Sequence, residues 1–308
     1  MPYCHTTQGQ AFRAFLLRIL LAVPTILSWS VTVQASAAER IVIAGGDLTE
    51  IVFALGEGQR VVGVDTTSTF PADAQDLPNI GYVRTLSPEG VLSLRPEVIL
   101  ASHFAGPEAS LARLADAGIH VHRAPAPQGE AHRDVAAKIR FVGETLDREA
   151  TAEALVEAFH AELASATQEV EALRPSPDWA PRTLFVLSAE SGPMVIGGKG
   201  TVAEQMIALA GGQPVTGDIE GYRPLAMEAV MALAPDVIVM MQEPLGDGDA
   251  ELVLQRPDLA ATPAGRHGRL IAMDGMLLLG FGPRTPQAIH ELNRALRQAS
   301  SQSEASNR

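Results

Sequence analysis

The chain reads as an α/β protein of two similar lobes, each with a mostly parallel sheet flanked by helices. A long helical linker joins the lobes, and a ligand cleft lies between them. Three observations predict this. Residues 86–100, LSPEGVLSLRPEVIL, return at 225–239 as LAMEAVMALAPDVIV. At a constant offset of 139, Leu86, Glu89, Val91, Leu94, Pro96, Val98 and Ile99 match Leu225, Glu228, Val230, Leu233, Pro235, Val237 and Ile238, while Glu97 meets Asp236. A Gly-Tyr pair precedes each copy, Gly81-Tyr82 and Gly221-Tyr222. A unit repeated once at that distance implies two like lobes rather than a short-period solenoid. Second, short apolar runs alternate with helical patterns in each half, the mark of parallel sheets. Third, residues 130–173 contain no Pro and only Gly143, with apolar residues at helical spacing.

In chain order, residues 40–46 predict a buried strand ending in a Gly turn. Asp47 is expected to N-cap the next helix, with Glu50 three residues on completing a capping box and Gly56 stopping it. Residues 59–64 form a second strand and 65–73 a loop. Ser87 caps a helix over 88–94 with Pro88 at its first position, and strand 98–101 follows Pro96. A helix at 107–117 and a strand at 119–123 complete the first lobe. Helices at 131–145 and 148–173 form the linker and end at Pro175-Ser176-Pro177. The second lobe has a strand at 182–187, a turn at Gly197–Gly200, a helix from Thr201, the second repeat, a strand at 270–273 and a last helix at 285–298. The expected divisions are a signal peptide at 1–37, an N-terminal lobe at 38–127, the linker at 128–177, a C-terminal lobe at 178–299 with its own core, and a disordered tail at 300–308. Bending a continuous helical link breaks backbone hydrogen bonds, so stiff lobes with small rocking closure are expected.

The first residues carry Arg13 and Arg18 around an apolar stretch, Ala14 to Val33, that exits through Ala35-Ser36-Ala37. A basic start, an apolar middle and a small-x-small exit mark a cleaved secretory signal, with cleavage near Ala37 and a periplasmic destination. The single cysteine, Cys4, lies ahead of that stretch, so the processed chain has no thiol for disulfides, zinc or nucleophilic chemistry. Removing the two arginines with the signal takes the net charge from −13 to −15. That balance argues against nucleic acid and anionic membranes as partners and favours a basic docking surface. No compact His and carboxylate pattern points to a zinc or manganese site, and no nucleophile elbow or Walker ending points to an enzyme.

Residues 40–71 (RIVIAGGDLTEIVFALGEGQRVVGVDTTSTFP), 79–100 (NIGYVRTLSPEGVLSLRPEVIL), 188–212 (SAESGPMVIGGKGTVAEQMIALAGG) and 279–284 (LGFGPR) resemble the hemin-binding proteins of bacterial ABC importers. These are helical-backbone binding proteins related to those for vitamin B12 and iron-siderophores. The resemblance spans about 40–298. It implies a non-enzymatic, monomeric carrier of heme as transported ligand, without a catalytic cofactor, that docks on an ABC permease dimer with its ATPase. It also implies one docking glutamate per lobe, falling on Glu89 and Glu228, the pair matched in the repeat. Two carboxylates placed alike suit a two-fold partner, and bidentate contacts with arginine would set the register. The alternative role of each is to favour its helix N-terminus.

The resemblance fails at one place. The hemin binders carry an iron-ligating tyrosine in the loop after the second strand, just before a proline, and here that residue is Phe70. Cobalamin or an iron-siderophore is therefore an alternative cargo, and a secreted enzyme or sensor domain is an alternative of another class. Tyr82, Tyr222 and His103 are the candidate iron ligands, at most one or two of them acting. A phenolate binds ferric heme iron, and Arg84 or Arg223 nearby would favour that anion. Phe70 is a candidate stacking contact. Arg84, Arg223 and Arg284 are candidate partners for carboxylates of the cargo.

Overall fold

The computed structural model describes residues 39–189, 193–242 and 249–306; the signal reading at 1–37 and Cys4 lie outside them. The first sheet is formed by β1 (Ile41–Ala44), β2 (Val61–Val64), β3 (Val98–Ala101) and β4 (His120–Arg123). It is wholly parallel, in the order β2-β1-β3-β4. Its helices are α1 (Gly46–Ala54), α2 (Ala72–Gln75), α3 (Pro88–Ser93) and α4 (Glu108–Asp116). The linker is the pair α5 (Ala131–Thr145) and α6 (Glu149–Ala172), close to its expected limits.

The second sheet comprises β5 (Arg182–Ser188), β6 (Met194–Gly197), β7 (Gln213–Pro214), β8 (Tyr222–Leu225), β9 (Val237–Met241) and β10 (Leu270–Met273). Its path is β10-β9-β5-β6-β8, with β7 on β5. The β10-β9, β9-β5 and β5-β7 pairings are parallel, but β5-β6 and β6-β8 are antiparallel. The helices are α7 (Val202–Leu209), α8 (Met227–Leu233), α9 (Asp249–Leu254), α10 (Pro257–Ala260), α11 (Pro263–Arg266), α12 (Gly275–Leu279) and α13 (Thr285–Ser306). Among the described residues no helix is long and apolar enough to cross a membrane.

The repeat is three-dimensional as well as linear. Its helix and strand become α3-β3 and α8-β9, and each strand lies beside the first strand of its lobe. Each helix ends in a left-handed residue just before the matched proline, Arg95 at φ 48° and Ala234 at φ 43°. An arginine at the head of the neighbouring strand then collects the freed carbonyls. Arg40 donates to Leu94 O at 2.7 Å and Arg95 O at 3.1 Å; Arg182 donates to Leu233 O at 2.6 Å and Ala234 O at 3.4 Å. The matched acids complete the device, Glu97 accepting from the Arg40 amide and Asp236 from the Arg182 amide. These groups satisfy carbonyls that a helix end leaves without partners.

Separate lobe cores were expected, and the structure corrects this. Strand residues alternate between two faces. On β1 and β3, Ile41, Ile43, Val98 and Leu100 face one core; on β5 and β9, Phe185, Val237 and Val239 face the same one. It continues through Val135, Ile139, Phe159, Ile289 and Leu296 of the linker and α13. Only the opposite faces have their own clusters, around Val42 and Ile99 in one lobe and Leu184 and Ile238 in the other. The linker thus lies along the inner faces, and sheet periodicity divides the apolar residues.

Two further expectations need correction. Asp47 does not cap α1: the N-cap is Gly45, at φ 144°, and no side chain bonds there. Asp47 lies inside the first turn, where it is engaged elsewhere, as described below. A Cβ at Gly45 would meet Ser102 Oγ at 1.9 Å, so only glycine fits between β1 and that hydroxyl. Residues 300–306 continue α13 as helix instead of forming the disordered tail. They contain no Gly or Pro to stop it. Buried Leu292, Leu296 and Ala299 anchor the preceding turns, and Ser300 donates back to Leu296 O.

Candidate functional site

Ligands of open parallel sheets bind beyond the carboxyl ends of the strands, and the candidate residues of the first lobe follow those ends. Phe70 lies in the loop after β2, Tyr82 and Arg84 precede α3, and His103 follows β3. The loops are stitched together: Thr66 N donates to Gly81 O, Gly106 N to Val83 O and Leu86 N to Gly106 O. The Arg84 guanidinium lies 4.6 Å from the Phe104 ring centroid, and the His103 ring meets the same phenyl edge-on at 4.8 Å. Partial burial, with Lys138, Arg84 and Arg123 nearby, pulls the His103 pKa below 6.5, while Asp47 opposes them. The imidazole is therefore neutral at neutral pH and has a free lone pair to offer a ligand.

The loop carrying Phe70 is held by Asp65. Its carboxylate accepts from the amides of Gly45 and Thr67 and from the hydroxyls of Thr67 and Ser68. Burial nonetheless raises its pKa above 3.8. Phe70 is 43% exposed, and the Arg284 guanidinium covers it from 3.9 Å above the ring centroid.

Arg284, from the turn between α12 and α13, pairs with Glu50 of α1. One turn away, Lys138 of α5 donates to Asp47 at 2.7 Å and to Gly280 O at 3.3 Å, and Ser102 donates to the other Asp47 oxygen at 2.8 Å. Both residues assigned to a capping box are thus buried ion-pair partners at the junction of the first lobe, the linker and the second lobe. Burial pushes the Asp47 carboxyl up, but Lys138 and the hydrogen bonds outweigh it and hold its pKa below 3.8. At Glu50 burial prevails over Arg284 and holds the pKa above 4.5. Lys138 was missed, although Val135, Ile139 and Val142 put it on the buried face of α5, where a lysine needs a partner.

The second lobe contributes Tyr222 and Arg223 from β8. Adjacent strand residues face opposite ways, so Arg223 does not flank the Tyr222 phenol. It donates instead to Glu220 O at 3.1 Å. The Tyr222 ring packs on Phe185 with centroids 6.4 Å apart. The phenol is enclosed although the residue as a whole is 38% exposed. Burial raises its pKa above 10.0, while the Ala203 amide and Arg84 pull the other way. Desolvation is the larger effect in the ligand-free protein, and Arg84 pulls toward the phenolate as expected. That pull places Arg84 of one lobe within electrostatic reach of Tyr222 of the other.

Among the described residues no group of three or more His, Cys, Asp or Glu could hold a metal ion. A groove of about 580 Å³ between α6 and α13, lined by Glu162, Glu169, His290 and Arg294 among others, shares no residue with this mouth. Glu89 and Glu228 are both exposed in the first turns of α3 and α8. Ser87 caps α3 and donates to Glu89; the Glu89 backbone amide first, and Ser87 after it, hold that carboxylate's pKa down, whereas α8 has no side-chain cap.

Two lobes share a spine, with aromatic and cationic side chains beyond the strand ends of the first and on β8 of the second. The family is established by comparison: residues 41–277 match the periplasmic binding protein family, and the chain belongs to it. It is 39% identical to the periplasmic heme-binding protein BhuT, solved with two hemes, over 85% of this chain and 98% of that one, with a TM-score of 0.78. Among curated relatives, an ABC transporter substrate-binding lipoprotein, YvrC of Bacillus subtilis, is 27% identical over 80% of this chain and 76% of its own length. The vitamin B12-binding protein of Yersinia pestis is 27% identical over 71% and 75% respectively.

Proposed function

We propose that the protein is exported by the signal at 1–37, cleaved near Ala37, captures heme between its lobes and delivers it to an ABC permease dimer. The observation that carries this reading is the composition of the mouth. Phe70, Tyr82 and Tyr222 offer a flat apolar ligand aromatic surface, and Arg84, seated over Phe104, has no carboxylate partner among the described residues. A porphyrin with two carboxylates has that chemistry. The likeness to a protein solved with two hemes supports it. Of the candidate iron contacts, His103 is already in the protonation state that coordination needs, Tyr82 is well exposed, and burial makes the Tyr222 proton harder to lose.

Glu89 and Glu228, exposed on equivalent helices, are the proposed contacts to the permease. The shared inner core supports rocking of stiff lobes rather than wide opening. Titration of hemin into the protein tests the cargo: a shifted Soret band saturating near one or two equivalents is expected, and an unchanged free-hemin spectrum rejects heme. Phe70 in place of the tyrosine, and the vitamin B12-binding relatives, favour cobalamin as the second reading. Quenching by cobalamin without any hemin response would establish it.

A further inference from the structure

We propose, resting on the heme reading above, that Phe70 is a stacking platform held in place by Arg284, and that the cleft selects the macrocycle more than its metal. The guanidinium 3.9 Å from the centroid covers one face of the ring, so the remaining exposure of Phe70 belongs to its opposite face and rim. Arg284 is itself fixed. Its side chain is 17% exposed against a Glu50 side chain at 5%, and Asp274 stands at 3.9 Å. Its Nε is buried without a hydrogen-bond partner, as a guanidinium lying flat on a phenyl ring would leave it. Moving Arg284 toward a ligand would leave Glu50 buried and unpaired beside Asp47 and Asp274. Arg284 therefore stays in place as a positioning residue. The Asp65 hydrogen bonds fix the loop from its other end, and Gln75 Nε2 donates to Thr69 O beside the ring.

A cation on one face draws the ring's electron density toward itself. The free face is then electron-poor, which suits stacking against an electron-rich macrocycle. Phe70 has no atom that binds iron, so what it contributes is indifferent to the metal. The candidate axial contacts His103, Tyr82 and Tyr222 would add a preference for iron, on this proposal the smaller contribution.

The test titrates hemin, zinc protoporphyrin and metal-free protoporphyrin IX into the protein and into Phe70→Ala, Phe70→Leu and Phe70→Trp. Dissociation constants of the three porphyrins within about tenfold of one another are expected. Phe70→Ala should weaken all three by about tenfold, the scale of one lost aromatic stacking partner. Phe70→Leu, which keeps apolar bulk without a π face, should fall nearly as far, and Phe70→Trp should restore binding. Metal-free protoporphyrin binding about a hundredfold or more below hemin overturns the platform but leaves heme capture standing, as does unchanged binding by Phe70→Ala. Failure of all three porphyrins to bind the unaltered protein overturns heme capture and the platform together.

Discussion

The two lobes are alike in how they are built and unlike in what they offer a ligand. Both end their repeated helix in a left-handed residue, close it with an arginine from the adjoining strand and tie that strand's amide to a matched acid. Both raise one glutamate on an exposed first turn. The mouths diverge. The first lobe offers loops with Phe70, Arg84 and His103, braced by buried acids. The second offers an antiparallel strand whose tyrosine is partly withdrawn against Phe185. The duplicated segment thus supplies scaffold and the two proposed docking positions, and Phe70 and His103 lie on loops outside it.

If the repeated glutamates act as a pair, reversing both, Glu89→Arg with Glu228→Arg, produces the largest effect. Uptake should fall to background, each reversal costing roughly 2 kcal/mol or more at a charge-paired contact. Hemin affinity should be unchanged; full uptake by the double variant would break the equivalence. The asymmetric brace comes next. Glu50→Ala should destabilise the fold by about 3 kcal/mol in urea unfolding, because it strands a largely buried Arg284. A loss below about 1 kcal/mol would show that water replaces the carboxylate.

Smaller effects test the symmetry of the scaffold. Arg40→Ala and Arg182→Ala should each cost about 1 kcal/mol, since both donate to exposed helix-end carbonyls in the same way. A large inequality would mean that one lobe's lock is ornamental. The smallest effect is a titration. The folded-state pKa of Tyr222 is raised, so its contribution to stability is complete below pH 10.0 and lost as pH rises through the folded value. Tyrosinate absorbance of the ligand-free protein should therefore show a step above pH 10.0 that Tyr222→Phe removes.

Much of this architecture was legible in the chain because its signals are local. The repeat placed α3-β3 and α8-β9, and helical spacing placed α5 and α6. The resemblance put Glu89 and Glu228 on the surface, and both are exposed. What escaped was non-local. Strand β8 is only four residues long and includes Pro224, a weak strand signal that becomes a strand by pairing with β6. Asp47-x-x-Glu50 has the spacing of a capping box, yet its partners are 91 and 234 residues away.

The sequence by itself determined the repeated helix-strand units, the linker helices and the absence of a thiol from the region after the apolar N-terminal stretch, since each depends on neighbours or on composition. Only the tertiary structure decided that the lobes share an inner core, that Arg284 belongs to Glu50 and Phe70, and that burial raises the Tyr222 pKa above 10.0. Desolvation and ion pairing depend on which groups converge in space, and sequence spacing does not carry that information.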